Sequence, residues 1–341
     1  MIDTLQHEPV ALPARSFARI TLSVLGYALL MAVMFFTPLN VFVPAAIFAC
    51  GVRNGKTATI APVVFAALTY LSVHTAAVNI VHIPPADAML DLAWLFTLIA
   101  AISLPSFIAL PLVERGKEFG PVLLTSTIAS VAGYVATEWI MRRVYGFSAL
   151  HELTTRSSQT FLTWGVTQSD VDKMRPALVV LPSVMMAVTV VCFVLSLVMY
   201  GRLKAWRELV TRRRTPDAEL VVAPPQFLFR HLSLPDWFLF AFVLCGITPL
   251  VSGVWQKVMV NVLVMVVFLY VLQGLAIFRW FLVALDLGVG GVMFAFLILG
   301  LLSTPRLFVS PYLLGIAGLF DSFFDFRHLR RKDSPDESHP H

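Results

Sequence analysis

Residues 258–282 read VMVNVLVMVVFLYVLQGLAIFRWFL, an apolar run interrupted only by Asn261, Gln273 and Arg279. A hydrocarbon core about 30 Å thick needs roughly 20 apolar residues of helix, so this run is long enough to cross it. Comparable runs recur along the chain. They cover Phe17–Phe36, Leu39–Val52, Thr59–Val81, Met89–Val113, Phe119–Met141, Ala177–Gly201, Trp237–Trp255, Leu287–Leu302 and Leu307–Phe326, which with Val258–Leu282 makes ten segments. The second and ninth are short enough to be half-spanning or re-entrant, so eight to ten spans are expected. The predicted fold class is all-α, a polytopic transmembrane helical bundle. A single transmembrane domain over residues 17–326 lies between an N-terminal segment, 1–16, and a tail, 327–341.

The composition agrees. Apolar residues make up 58% and charged residues 13%, with a mean hydropathy of +0.82, against roughly 45–50% and 25% in soluble domains. No polar half is left to fold separately. The formal net charge of +5 does not point to nucleic acid, because the basic residues cluster at the ends of apolar runs and form no aromatic-interleaved groove. Cys50, Cys192 and Cys245 lie inside apolar runs without C-x-x-C spacing and read as small buried hydrophobes. Asp3 and Glu8 precede Arg15 and Arg19, and the first run is long enough to span, so it is read as a retained anchor rather than a cleaved signal.

Lysines and arginines test the orientation, since cytoplasmic loops are enriched in them. With the N-terminus inside, 18 of them fall on the inner side and 7 on the outer side. The expected arrangement has both termini in the cytoplasm of a cell inner-membrane protein. Two connections are long. The outer one, 144–175, contains an amphipathic helix around Leu150, Leu153, Phe161 and Leu162, then a helix start at Ser169-Asp170-Val171-Asp172, where carboxylates meet the positive end of the dipole. The inner one, 202–233, opens on Arg202-Leu-Lys-Ala-Trp-Arg207 and runs to Arg212-Arg213-Arg214, which suits anionic lipid headgroups.

Polar residues at membrane depth are the functional candidates. His74, Asn79, His82, Asp87 and Asp91 cluster near one membrane surface, but their spacing matches no metal pattern and no metal is assigned. Asn261 and Gln273 are expected either to hold helices together or to line a small-molecule cavity with Glu138 facing them; these three are the candidate ligand-binding residues. In the last helix Gly315, Gly318 and Ser322 share one face, a packing or partner surface. Asp321 and Asp325 share the adjacent face within reach of Arg327, as a cytoplasmic ion-pair cluster. No P-loop, H-E-x-x-H, C-x-x-C or serine nucleophile elbow is present, so no catalytic residue and no cofactor is assigned.

The C-terminal half resembles the YybS-like family of bacterial membrane proteins. The resemblance rests on Pro176, Phe227, Leu234-Pro235-Asp236-Trp237, Asn261, Gln273-Gly274-Leu275-Ala276, and the ending Gly318-Leu-Phe-Asp321 with Asp325-Phe-Arg327. That family is distantly similar to the substrate-binding membrane subunits of energy-coupling-factor vitamin transporters. The likeness implies a bundle that captures a small molecule and pairs with an energising module or other protein partner. The expected function is therefore a non-enzymatic membrane protein that binds a small ligand or serves as a transporter's membrane subunit. The alternative is a membrane scaffold or assembly protein acting through the Gly315 face and the basic connection.

Overall fold

Helix follows almost every apolar run, because a backbone in hydrocarbon can satisfy its amides only within its own segment. The computed structural model describes residues 14–214, 227–250, 252–285, 291, 295 and 309–324, and these include no strand. The helices are α1 (Ala14–Phe35), α2 (Val43–Asn54), α3 (Ile60–Val81), α4 (Pro85–Thr97), α5 (Leu104–Glu114), α6 (Phe119–Tyr145), α7 (Ala149–Thr163), α8 (Gln168–Leu178), α9 (Leu181–Arg214), α10 (Phe238–Cys245), α11 (Gly253–Ala284) and α12 (Val309–Phe324). Five stretches among the described residues are long and apolar enough to cross a bilayer: Thr57–Val81, Pro85–Glu114, Phe119–Tyr145, Leu181–Arg207 and Trp255–Ala284. The chain is an all-helical protein whose apolar helices suit a membrane.

The fourth run is one span made of α4, a π-helical stretch Leu98–Ser103, and α5. Pro105 has no N–H to give the carbonyl four residues back, and the widened turn lets Ser103 Oγ donate to the Leu98 carbonyl at 2.8 Å. The second run becomes a 3₁₀ turn, Pro38–Phe42, and then α2, whose twelve residues rise only about 18 Å. Eight of those twelve are buried, so α2 is a half-length helix enclosed by the bundle. Its adjacent Ile47 and Phe48 point into different cores. Ile47 joins Met31, Phe35, Val63 and Leu98, whereas Phe48 joins Leu123, Phe193, Tyr200 and Tyr270.

One expectation fails. Trp237–Trp255 is not a continuous span: α10 has eight residues, about 12 Å, followed by a turn at Gly246, a 3₁₀ turn Thr248–Leu250, and Gly253 at φ +69°. Gly246, Pro249 and Gly253 break the helix within eight positions, which counting apolar residues does not register. The ninth run falls outside the described residues except for Gly291 and Ala295. The two connecting helices do form, as α7 and α8. Thr167 caps α8: its hydroxyl donates to Asp170 Oδ2 at 2.7 Å while the Asp170 amide donates back at 3.3 Å. That hydroxyl, and then Lys173, hold the Asp170 carboxyl below its usual range.

The last helix packs antiparallel on α11, with backbone against backbone at two glycines. A Cβ on Gly318 would collide with the Tyr270 carbonyl, and one on Gly274 with the Leu314 carbonyl, so only glycine lets the backbones approach this closely. Gly318→Leu is expected to force the pair apart and destabilise the bundle by at least about 1–3 kcal/mol. A denaturant titration of the detergent-solubilised variant, followed by circular dichroism, measures this.

Candidate functional site

Turns gather the chain's polar side chains at the two ends of the bundle. At one end the α2–α3 turn meets the end of α5, where Lys56 Nζ lies 3.1 Å from Glu114 Oε2. The opposite end collects the finish of α6, the helices α7 and α8, and the starts of α9 and α11. A cavity of about 1040 Å³ opens there, bounded by α6, α7, α9 and α11 with Phe238 beneath. A second, of about 650 Å³, lies beside it between α4, α6, α7 and α9. Val135, Arg142, Leu150, Pro182 and Met186 border both.

The roof is α7, an amphipathic helix with no buried residue of its own, so polar anchors must hold it in place. Ser148 caps it by accepting from the His151 amide at 3.1 Å. Glu138 of α6 completes the cap. Its Oε2 accepts from the Leu150 amide at 3.2 Å, and its Oε1 accepts from Ser148 Oγ and from Arg142 Nε, each at 2.6 Å. Farther along, Arg156 donates to Glu152 at 2.8 Å and pairs with Asp87 at the start of α4. These bonds tie the amphipathic helix to the tops of two spans.

Asn261 lines the larger cavity, but its polar atoms face elsewhere. Its Nδ2 donates to the Lys257 carbonyl at 2.8 Å and to the Val179 carbonyl at 3.0 Å, while Oδ1 accepts from the Ser183 amide at 3.2 Å. The fully buried Ser183 hydroxyl lies 2.6 Å from Oδ1 and 2.9 Å from the Asn261 carbonyl. Both donors and the acceptor are occupied, so Asn261 clamps the first turn of α9 to α11 and offers a ligand only its carbon surface.

Gln273 lines neither cavity. It is 1% exposed, donates through Nε2 to Asp321 Oδ2 at 3.0 Å, and accepts from the Leu234 amide at 3.3 Å. One amide thus joins α11, α12 and the extended chain before α10. The three candidate ligand residues are therefore dispersed: Asn261 at the larger cavity, Glu138 at the smaller, Gln273 in a buried lock. Asp321 is buried on Gln273, and Asp325 and Arg327 lie outside the described residues. Gly318 faces Tyr270 and Gly315 meets the Val271 side chain, so both glycines of the small-residue face pack on α11 of the same chain.

The polar group near α3 separates as well. His74 lies 3.6 Å from Asp91, Asp87 pairs with Arg156, and Asn79 and His82 are exposed. Among the described residues no three His, Cys, Asp or Glu side chains come together as a metal site. Sequence reasoning missed Ser183, 78 positions from its partner Asn261, and the grouping of Arg142, His151 and Lys257 around one cavity. No local pattern marks either, although Lys257 follows Trp255 as an interfacial residue does. No family model, no curated protein and no solved structure matches this chain.

A double-mutant cycle on Asn261→Ala and Ser183→Ala, read from stability in detergent, is expected to give a favourable coupling between about 0.6 and 1.7 kcal/mol, the mean and the maximum found for interhelical hydrogen bonds in a membrane protein. No coupling would mean that the two groups exchange water-mediated partners instead.

Proposed function

We propose that this chain binds a small ligand within its membrane domain, as a binding protein or the membrane subunit of a transporter, with the 1040 Å³ cavity as the site. That volume carries the reading, since it lies at the upper end of the roughly 300–1,000 Å³ typical of small-molecule sites. The cavity is walled by apolar side chains and borders α7, a helix held by polar anchors rather than by a buried face. In this reading α7 is a cover that the Glu138 and Arg156 contacts keep over the site.

The same proposal extends to topology and place. Eight to ten spans are read from the apolar runs, and both ends in the cytoplasm of the inner membrane from the charge split together with an even count. The turn bearing Arg53 and Lys56, the end of α5 and the end of α9 then lie inside, and the cavity faces outward. Membership of the YybS-like family, and through it a distant likeness to vitamin-capturing subunits, belongs to the same reading. So does the absence of enzymatic activity. The scaffold alternative draws on a different observation: α9 runs 34 residues, about 51 Å, well beyond the hydrocarbon thickness, and exposes Arg202, Lys204, Trp206 and Arg207 along its end.

Mass spectrometry of gently purified protein is expected to detect a retained small molecule that Val262→Trp, which fills the cavity, removes while the protein stays folded. A stoichiometric protein partner without any retained molecule would favour the scaffold instead. For topology, a fusion after Phe147 is expected to give active alkaline phosphatase, and one after Arg214 fluorescent green fluorescent protein. The reverse pattern would invert the orientation.

A further inference from the structure

The walls and mouth of the larger cavity have opposite chemistry, and together they select an occupant. On the walls, Ile128, Val135, Val258 and Val262 are more than two-fifths exposed on helices long and apolar enough to span. The cavity therefore opens sideways, toward the hydrocarbon around the bundle, as well as toward α7. Its hydroxyls do not make it polar: Thr127 donates to the Leu123 carbonyl, Thr154 and Thr155 to that of His151, and Ser158 to that of Thr154. Asn261 is likewise occupied by backbone and Ser183. A sugar or other ligand polar along its whole length would lose its water without replacement bonds.

The mouth differs. Arg142 from the last turns of α6, Lys257 from the second turn of α11 and His151 from α7 border it, and no carboxylate lines this cavity. Glu138 reaches Arg142 from the side of the smaller cavity through Nε, and Ser148 accepts from Nη2 at 3.2 Å, which leaves the rest of a guanidinium with five N–H donors. Lys257 is exposed. With Arg142 and Lys257 set against Glu138 the mouth keeps a net positive charge. Cationic amphiphiles have no partner there, and a neutral apolar molecule would leave the cations idle.

We infer that the cavity is a site for an anionic membrane lipid, its hydrocarbon chain entering between α6 and α11 and its phosphate head held by Lys257, Arg142 and His151 beneath α7. This rests on the reading of the cavity as a ligand site and adds the chemical class. The lateral opening admits a chain directly from the bilayer. The head group lies level with the other interfacial residues, Trp139 and Trp255, both well exposed.

The test is native mass spectrometry of delipidated protein titrated with phosphatidylglycerol or with phosphatidylcholine of the same chains. Phosphatidylglycerol is expected to bind one to one, about tenfold or more tightly than phosphatidylcholine. Lys257→Ala and His151→Ala should each weaken phosphatidylglycerol severalfold, about fivefold for a full cation, and weaken phosphatidylcholine less, so that the preference between the two lipids shrinks, while Lys257→Arg restores binding. Glycerol 3-phosphate alone should not compete, which separates a lipid site from a phosphate site. Equal binding of the two lipids, or no effect of Lys257→Ala, overturns the inference. A retained non-lipid molecule displaced by Val262→Trp or Ile128→Trp overturns it too but leaves the cavity reading standing, whereas no molecule displaced by either tryptophan removes both.

Discussion

Hydrocarbon offers no hydrogen bonds, and the structure is organised around that constraint. Every amide within a span must be answered inside its own helix, and a buried polar side chain at depth is costly unless another group answers it. Where helices end or break inside the bundle, distant side chains supply the missing partners. Asn261 answers the start of α9, Gln273 answers the Leu234 amide before α10, and Glu138 answers the start of α7. Each of these residues caps or bridges backbone belonging to another element.

Close backbone approach is the second consequence. Association in lipid lacks the hydrophobic drive that gathers helices in water, so contact area and interhelical hydrogen bonds must hold the bundle. The α11–α12 pair uses both: Gly274 and Gly318 let the backbones touch, and the Gln273–Asp321 bond fixes the register. Tyr270 connects this pair to α10 through Phe238 and Phe242, whose rings lie 5.7 and 5.9 Å away. The short α2 does comparable service in the other half, since Ile47 and Phe48 join the two cores from one buried turn.

The cavity exists because α7 covers the bundle without packing into it. A helix with no buried residue contributes little close contact, and the space beneath it is left between α6, α9 and α11. Its polar anchors lie at the first turn of α7 and at Arg156, and the apolar walls continue to the exposed Ile128, Val135, Val258 and Val262. A cationic mouth above an apolar shaft is the same division that a membrane interface makes, here built into the protein.

Much of the fold was legible in one dimension. Residues 258–282 were legible as a helix long and apolar enough to cross a membrane, and the amphipathic spacing around Leu150 and the carboxylates near Asp170 marked α7 and α8, because both signals are local and periodic. The Trp237–Trp255 run misled, since its mean hydropathy hides three helix breakers whose effect depends on their spacing. For the site, the residue types were legible but not their assignments. Asn261, Gln273 and Glu138 were recognisable as polar groups that had to be satisfied at depth. Only the tertiary structure decided that they meet Ser183, Asp321 with Leu234, and the cap of α7, at separations of 78, 48 with 39, and 10 to 12 positions. The sequence by itself determined the apolar character of the helices and most of the secondary structure, because transfer free energy and helix periodicity are summed over neighbours. The tertiary structure decided which polar groups are occupied and where a cavity is left, because those depend on which distant backbones approach closely enough to exclude everything else.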